Sequence, residues 1–194
     1  MGDIMYNKLL RKTNISYGNR GMDLENDINE SNTYYLNNNI AVIHKKPTPI
    51  NIHKVDYKSR YDAVITKATF KIPSTTDYNG IYRGYYIDFE AKETTSTTSF
   101  PLSNIHNHQL EHMKKISEHK GISFIIVSFT KLQKVYLIEI EKILEYINDT
   151  NKKSIPLNIF DKCGYLLKYK FAPRLDYLSA VDIIIGGNNE KSYW

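Results

Sequence analysis

The stretch Tyr85–Glu93, YYIDFEAKE, sets acids and a lysine into a segment that otherwise has the aromatic and β-branched character of a strand. Asp and Glu pack poorly on a pleated, half-buried surface. Side chains of a strand alternate between its faces, so Tyr86, Asp88, Glu90 and Lys92 share one face while Ile87, Phe89 and Ala91 share the other. The apolar face reads as core. The polar face needs another use.

Working outward, TTDYNGIYRG (75–84) supplies turn chemistry before this strand, with Asn79-Gly80 as the predicted hairpin turn, and the polar loop TTSTTSFPLSN (94–104) follows it. The segment 104–121 predicts a helix, with Leu110, Met113 and Ile116 spaced by three and Gly121 as its stop. ISFIIVSF (122–129) is apolar throughout and predicts a strand buried on both faces, paired with KVYLIEI (134–140) across a short turn. A short helix over 141–153 and a late strand in GYLLKYKF (164–171) complete the C-terminal half. Upstream, Leu24, Ile28 and Tyr35 predict a helix over 19–36, and NIAVIHKK (39–46) a strand stopped by Pro47 and Pro49. The order predicts a mixed α/β fold with one central sheet and helices outside it.

Residues 50–74 fit no core: they alternate, carry cations and offer no strong apolar face. They read as a projecting arm. From Ala41 to Thr76 seven cations (Lys45, Lys46, Lys54, Lys58, Arg60, Lys67, Lys71) oppose two acids (Asp56, Asp62), a net +5 that equals the charge of the whole chain. Positive charge concentrated in this way favours a polyanionic partner, nucleic acid first. A chain of 194 residues is long enough for one domain with a real core, it holds no apolar run of membrane-spanning length, and its single cysteine, Cys163, permits no internal disulfide. These features predict a cytoplasmic protein with no membrane association.

Asp77, Glu90 and Lys92 carry the chemistry. A hairpin sets such positions side by side at one end of a sheet. Two carboxylates that approach closely repel unless a cation intervenes, and oxygen ligands select Mg²⁺ or Mn²⁺ over zinc. An acid, a second acid on a strand and a lysine two residues on suit metal-assisted phosphodiester hydrolysis. By spacing alone Asp88 competes with Asp77 as the first acid. His108, Glu111 and His112 also spell H-x-x-E-H, a zinc-peptidase pattern, but no third ligand is apparent downstream. A DNA-binding module without catalysis is the alternative from another class; it shares the basic arm but has no use for Asp77, Glu90 and Lys92 together.

NRGMDLENDINESNTYYL (19–36), IAVIHKKPTPI (40–50), STTDYNGIYRGYYIDFEAKET (74–94), TSFPLSNIHNHQLEHM (98–113) and FAPRLDY (171–177) occur in this order, and together they resemble the RecU family of Holliday junction resolvases, bacterial nucleases with a PD-(D/E)xK site. The resemblance implies a restriction-endonuclease-like central mixed sheet flanked by helices. It implies a metal site at Thr75, Asp77, Glu90 and Gln109, with Lys92 stabilising the transition state, Mg²⁺ as cofactor and Mn²⁺ as substitute. Asp88 then flanks the site, and Glu25 is an accessory acid near the metal. The arm becomes a basic stalk, about 47–74, in which Lys54, Lys58, Arg60, Lys67 and Lys71 meet phosphates and Tyr57 and Tyr61 stack on bases. Arg20 is a further DNA contact. The implied partners are four-way and branched DNA, a second copy of the chain, and recombinase and branch-migration proteins. The expected organisation is a flexible N-terminus over 1–16, one nuclease domain over 17–186, and a disordered tail over 187–194.

Overall fold

In the computed structural model, which describes residues 22–57, 59, 61–71, 75–149 and 152–191, the chain runs α1 (Met22–Asn37), β1 (Val42–Lys45), β2 (Ile50–Asp56), β3 (Val64–Phe70), β4 (Tyr78–Tyr82), β5 (Tyr85–Thr94), β6 (Ser99–Pro101), α2 (Asn107–Glu118), β7 (Ile122–Phe129), β8 (Lys134–Glu139), α3 (Ile140–Asp149), β9 (Ser154–Pro156), α4 (Leu157–Cys163), β10 (Tyr165–Leu167) and α5 (Leu178–Lys191). Six strands form the central sheet in the order β1-β4-β5-β7-β8-β10. It is mixed: β5 and β7 run parallel, the other neighbours antiparallel. This is the expected central mixed sheet with helices outside it.

The alternation in β7 explains the layering. Phe124 and Ile126 join one core cluster with Ile87 and Phe89 of β5, Leu24 and Ile28 of α1, and Val181 and Ile184 of α5. Ile125 and Val127 join the other, with Met113 of α2, Ile143 of α3 and Phe160 of α4. β7 is buried on both faces, as its unbroken apolar run requires. On the first face Tyr78, Phe89 and Phe124 stack with ring centroids 4.8 Å apart at each step. On the second face the apolar core stops at β7. One strand over, in register with Ser123, Ile125 and Val127, stand Asp88, Glu90 and Lys92.

Asn79-Gly80 is not the turn. Both residues lie inside β4, and the hairpin to β5 is closed by Arg83 and Gly84, with φ 50° and 83°. Two left-handed residues make the tight turn that matches the twist of the flanking strands. Gly80 serves close approach instead: a Cβ there would lie 2.1 Å from the Val42 carbonyl oxygen and 2.6 Å from Ile43 Cα on β1. The C-terminal tail, expected to lack structure from 187, continues α5 to Lys191. The pairing of β6 with β9, and α4 after it, also escape the periodicity, because segments of three to seven residues carry too little pattern.

The residue 50–74 arm contains an antiparallel β2–β3 hairpin that forms a sheet of its own. All seven residues of each strand are exposed.

Candidate active site

β5 carries the second acid, Glu90, and the residues just before β4 carry the first. Since Tyr78 pairs with Phe89, the antiparallel register brings Asp77 opposite Glu90. The two are clasped reciprocally. The Asp77 N–H donates to Glu90 Oε2 (3.1 Å), and the Ala91 N–H donates to Asp77 Oδ2 (3.4 Å). Lys92, two residues on and on the same face, brings its Nζ to 2.6 Å from Glu90 Oε1. From α2, Gln109 donates its amide to the same oxygen (2.7 Å). Asp77, Glu90, Lys92 and Gln109 therefore meet at one point.

Glu90 is 1% exposed. Burial, and then the charge of Asp77 beside it, hold its carboxyl up at about 7, against the pull of the Lys92 ammonium. A carboxyl poised in this way gains from any cation that reaches both acids.

Gln109 is fixed by its own helix end. His106 caps α2, and the His106 N–H donates to Gln109 Oε1 (3.1 Å) in a capping box. The side-chain oxygen accepts from His106 and the amide nitrogen donates to Glu90, so in this arrangement Gln109 orients Glu90. Thr75 is exposed, and its hydroxyl joins no hydrogen bond of the cluster among the described residues. Glu25 lies on α1 and is held by Lys45 of β1. Tyr78, next to Asp77, ties α1 to the sheet through its hydroxyl, 3.4 Å from the Glu25 carbonyl oxygen and 3.2 Å from Asn29 Oδ1. Glu93 holds the start of α1, accepting the Leu24 N–H (3.1 Å) at the positive end of the helix dipole.

Asp88, read from the sequence as a flanking residue, is fully buried. Lys46 Nζ lies 2.7 Å from Oδ2, the Tyr86 hydroxyl 3.1 Å from the same oxygen, and the Thr76 hydroxyl bonds Oδ1. Thr76 did not stand out in the sequence, and Lys46 did so only as one of the seven cations of the basic segment; the cue was the pairing of an acid on the polar face of β5 with a cation just after the strand two places away. The zinc-peptidase pattern comes apart here. His112 directs Nε2 toward Asp88 (3.3 Å to Oδ1, without an aligned hydrogen bond), whereas the His108 ring stacks on His106 at 5.4 Å. No group of three or more His, Cys, Asp or Glu side chains is placed to hold a metal among the described residues.

On the arm, Lys54, Lys67 and Lys71 are exposed, as are Tyr57 and Tyr61. Arg20, Lys58 and Arg60 lie outside the described residues.

The family model of RecU, recombination protein U, matches residues 19–183. The chain belongs to the RecU family. The Holliday junction resolvase RecU of Staphylococcus aureus strain JH9 is 55% identical over 181 residues, which span 92% of this chain and 87% of that protein. The protein of the same name from strain MRSA252 is 54% identical over the same shares. Among solved structures, the Holliday junction resolvase Hjc of Archaeoglobus fulgidus aligns with a TM-score of 0.44 and 8% identity, over 74% of this chain and 93% of that one. The five motifs that carried the resemblance all lie within the span matched to RecU.

Proposed function

We propose that this RecU-family chain is an endodeoxyribonuclease that resolves four-way DNA junctions by divalent-metal-dependent nicking, in homologous recombination and DNA repair. The observation that carries the reading is the Asp77–Glu90 pair closed by Lys92. Its Staphylococcus aureus relatives bear the name Holliday junction resolvase, which supports the choice of substrate.

The cluster fits a divalent cation of the Mg²⁺ or Mn²⁺ type. Two carboxylates stand side by side, and burial together with the charge of Asp77 holds the Glu90 carboxyl up at about 7. Asp77 and Glu90 would hold the ion, with Thr75 the adjoining oxygen donor. When bound it would supply Lewis acidity and an activated water at the phosphate. Gln109 keeps Glu90 in its rotamer. Lys92, its side chain about one-fifth exposed, reaches past Glu90 to donate to a non-bridging phosphate oxygen, and this charge-assisted bond strengthens as negative charge builds there.

The β2–β3 hairpin fits a stalk that enters the junction. A hairpin of this kind is marginal alone in water. Here it exposes Ile52, Val55, Val64, Ile65 and Phe70 beside Lys54, Lys67 and Lys71, so it gains a reason to persist when a second copy packs on its apolar side chains and DNA meets its cations. A two-fold dimer would then bring two sites to opposing strands of a two-fold symmetric junction.

The test is cleavage of a labelled four-way junction beside a linear duplex of the same sequence, with Mg²⁺, by the wild type, Asp77→Asn and Lys92→Ala. The expected result is symmetric nicking of the junction by the wild type alone, with junction affinity in EDTA nearly unchanged in both variants. Binding without nicking by the wild type would make the chain a junction-binding module.

A further inference from the structure

We propose that Asp88, through Thr76 and Lys46, forms a positioning hub that sets the Asp77 carboxylate against Glu90. The inference rests on the metal-site reading above and assigns work to residues outside it.

Three attachments fix the segment that presents Asp77. The Lys46 N–H donates to the Asp77 carbonyl oxygen (2.7 Å), extending the β1–β4 ladder by one rung. The Asp77 N–H is taken by Glu90. The third is the Thr76 side chain, which is buried, unlike Thr75 before it. Its hydroxyl lies 2.9 Å from Lys46 Nζ and also bonds Asp88 Oδ1. An ammonium can only donate, so the Thr76 oxygen must accept from Lys46 and its one proton goes to Asp88. A hydroxyl is the smallest group that meets both needs.

Asp88 is itself held on all sides. Its backbone carbonyl accepts from Ser123 Oγ on β7 (2.9 Å), and its carboxylate is met by Lys46, Tyr86 and, from α2, His112. It thus joins β7, the end of β1, the segment before β4 and the helix that presents Gln109. A fully buried carboxylate persists only when so enclosed, and the enclosure makes it a rigid reference. Asp88, Thr76 and Lys46 direct their side chains to one another and not to the carboxylate oxygens of Asp77 or Glu90, so the effect of the hub on chemistry passes through Thr76 and the backbone. Partners of this outer kind typically change metal affinity or activity by about 10–100-fold.

The experiment measures Mn²⁺ binding to the metal-depleted full chain by calorimetry, without DNA, for the wild type, Asp77→Asn, Thr76→Val and Thr76→Ser. Junction affinity in EDTA and junction cleavage with Mn²⁺ are measured on the same proteins. Thr76→Val should weaken Mn²⁺ binding by about tenfold or more and slow cleavage in proportion, with junction affinity unmoved, while Thr76→Ser restores both to within about twofold. A role in folding alone would lower thermal stability without this split or this rescue. If Thr76→Val does not fold, Thr76→Ala is read in the same way. Mn²⁺ binding lost in Asp77→Asn but intact in Thr76→Val overturns the hub alone, as does a Thr76→Ser protein no better than Thr76→Val. A Mn²⁺ isotherm that Asp77→Asn leaves unchanged overturns the carboxylate site and the hub together.

Discussion

Glu90→Gln should stabilise the metal-free protein while removing its activity. The Glu90 carboxyl ordinarily ionises near 4.5 and is held at about 7 in the fold. Below pH 4.5 it is protonated in both folded and unfolded chains. Between 4.5 and 7 the unfolded chain releases the proton and the folded chain keeps it, so the unfolded state binds fewer protons and stability falls as pH rises. Above 7 both forms are ionised and the loss is complete. At 1.36 kcal/mol per unit, the interval from 4.5 to about 7 amounts to roughly 3 kcal/mol. Glutamine does not titrate, so the stability difference between variant and wild type should open by that amount across this window. The new amide keeps an oxygen for Lys92 and Gln109 and gains a donor for the Asp77 carboxylate, but it removes the acceptor that now meets the Asp77 N–H. The missing hydrogen bond costs about 1 kcal/mol. The net gain above pH 7 is then about 2 kcal/mol, or roughly 4–8 °C in melting temperature for a chain of this size. Urea unfolding followed by circular dichroism, in EDTA from pH 4.5 to 8, measures the difference. Added Mn²⁺ should then raise the melting temperature of the wild type only. A difference that stays flat with pH, or a variant less stable than wild type at pH 8, would refute the account of Glu90 as an acid held against burial and Asp77.

Two further perturbations probe the arm and the sheet. Replacing Lys54, Lys67 and Lys71 by alanine should flatten the salt dependence of junction binding by a slope of roughly 0.9 for each phosphate that is no longer neutralised, and an unchanged slope would take the hairpin out of the DNA interface. Gly80→Ala places a methyl 2.1 Å from the Val42 carbonyl oxygen. It should destabilise the fold by about 3 kcal/mol in urea unfolding, at the upper end of the cost of overpacking, and a cost below about 1 kcal/mol would show that β1 gives way freely.

Local pattern was enough for the strands and helices long enough to show a period: β5 with its two unlike faces, β7 buried on both, and α1 and α2 with one apolar stripe each. It also determined the grouping of Glu90 and Lys92, because a period of two is local and needs no partner strand. Asp77 was within reach only through the expected hairpin, and the turn expected there was the wrong one. By local chemistry Asn79-Gly80 is the better turn, since an arginine is uncommon at positive φ; the turn nevertheless falls at Arg83-Gly84, and position 80 lies inside β4 where β1 approaches too closely for a Cβ. Tertiary structure likewise decided Asp88. From spacing it was a rival first acid, and from the resemblance a bystander. Its burial, its bonds from Lys46 after β1, Thr76 before β4 and Tyr86 on β5, and the approach of His112 from α2 are brought together by no single stretch of sequence. Gln109 shows the same division. Its position on α2 and the capping box with His106 that engages its oxygen are local, but only the packing of α2 beside β5 brings its nitrogen to Glu90. The sign of a pKa shift is tertiary too, since burial and a neighbouring carboxylate raise Glu90 while the lysine two residues away, the only part visible in YYIDFEAKE, pulls the other way.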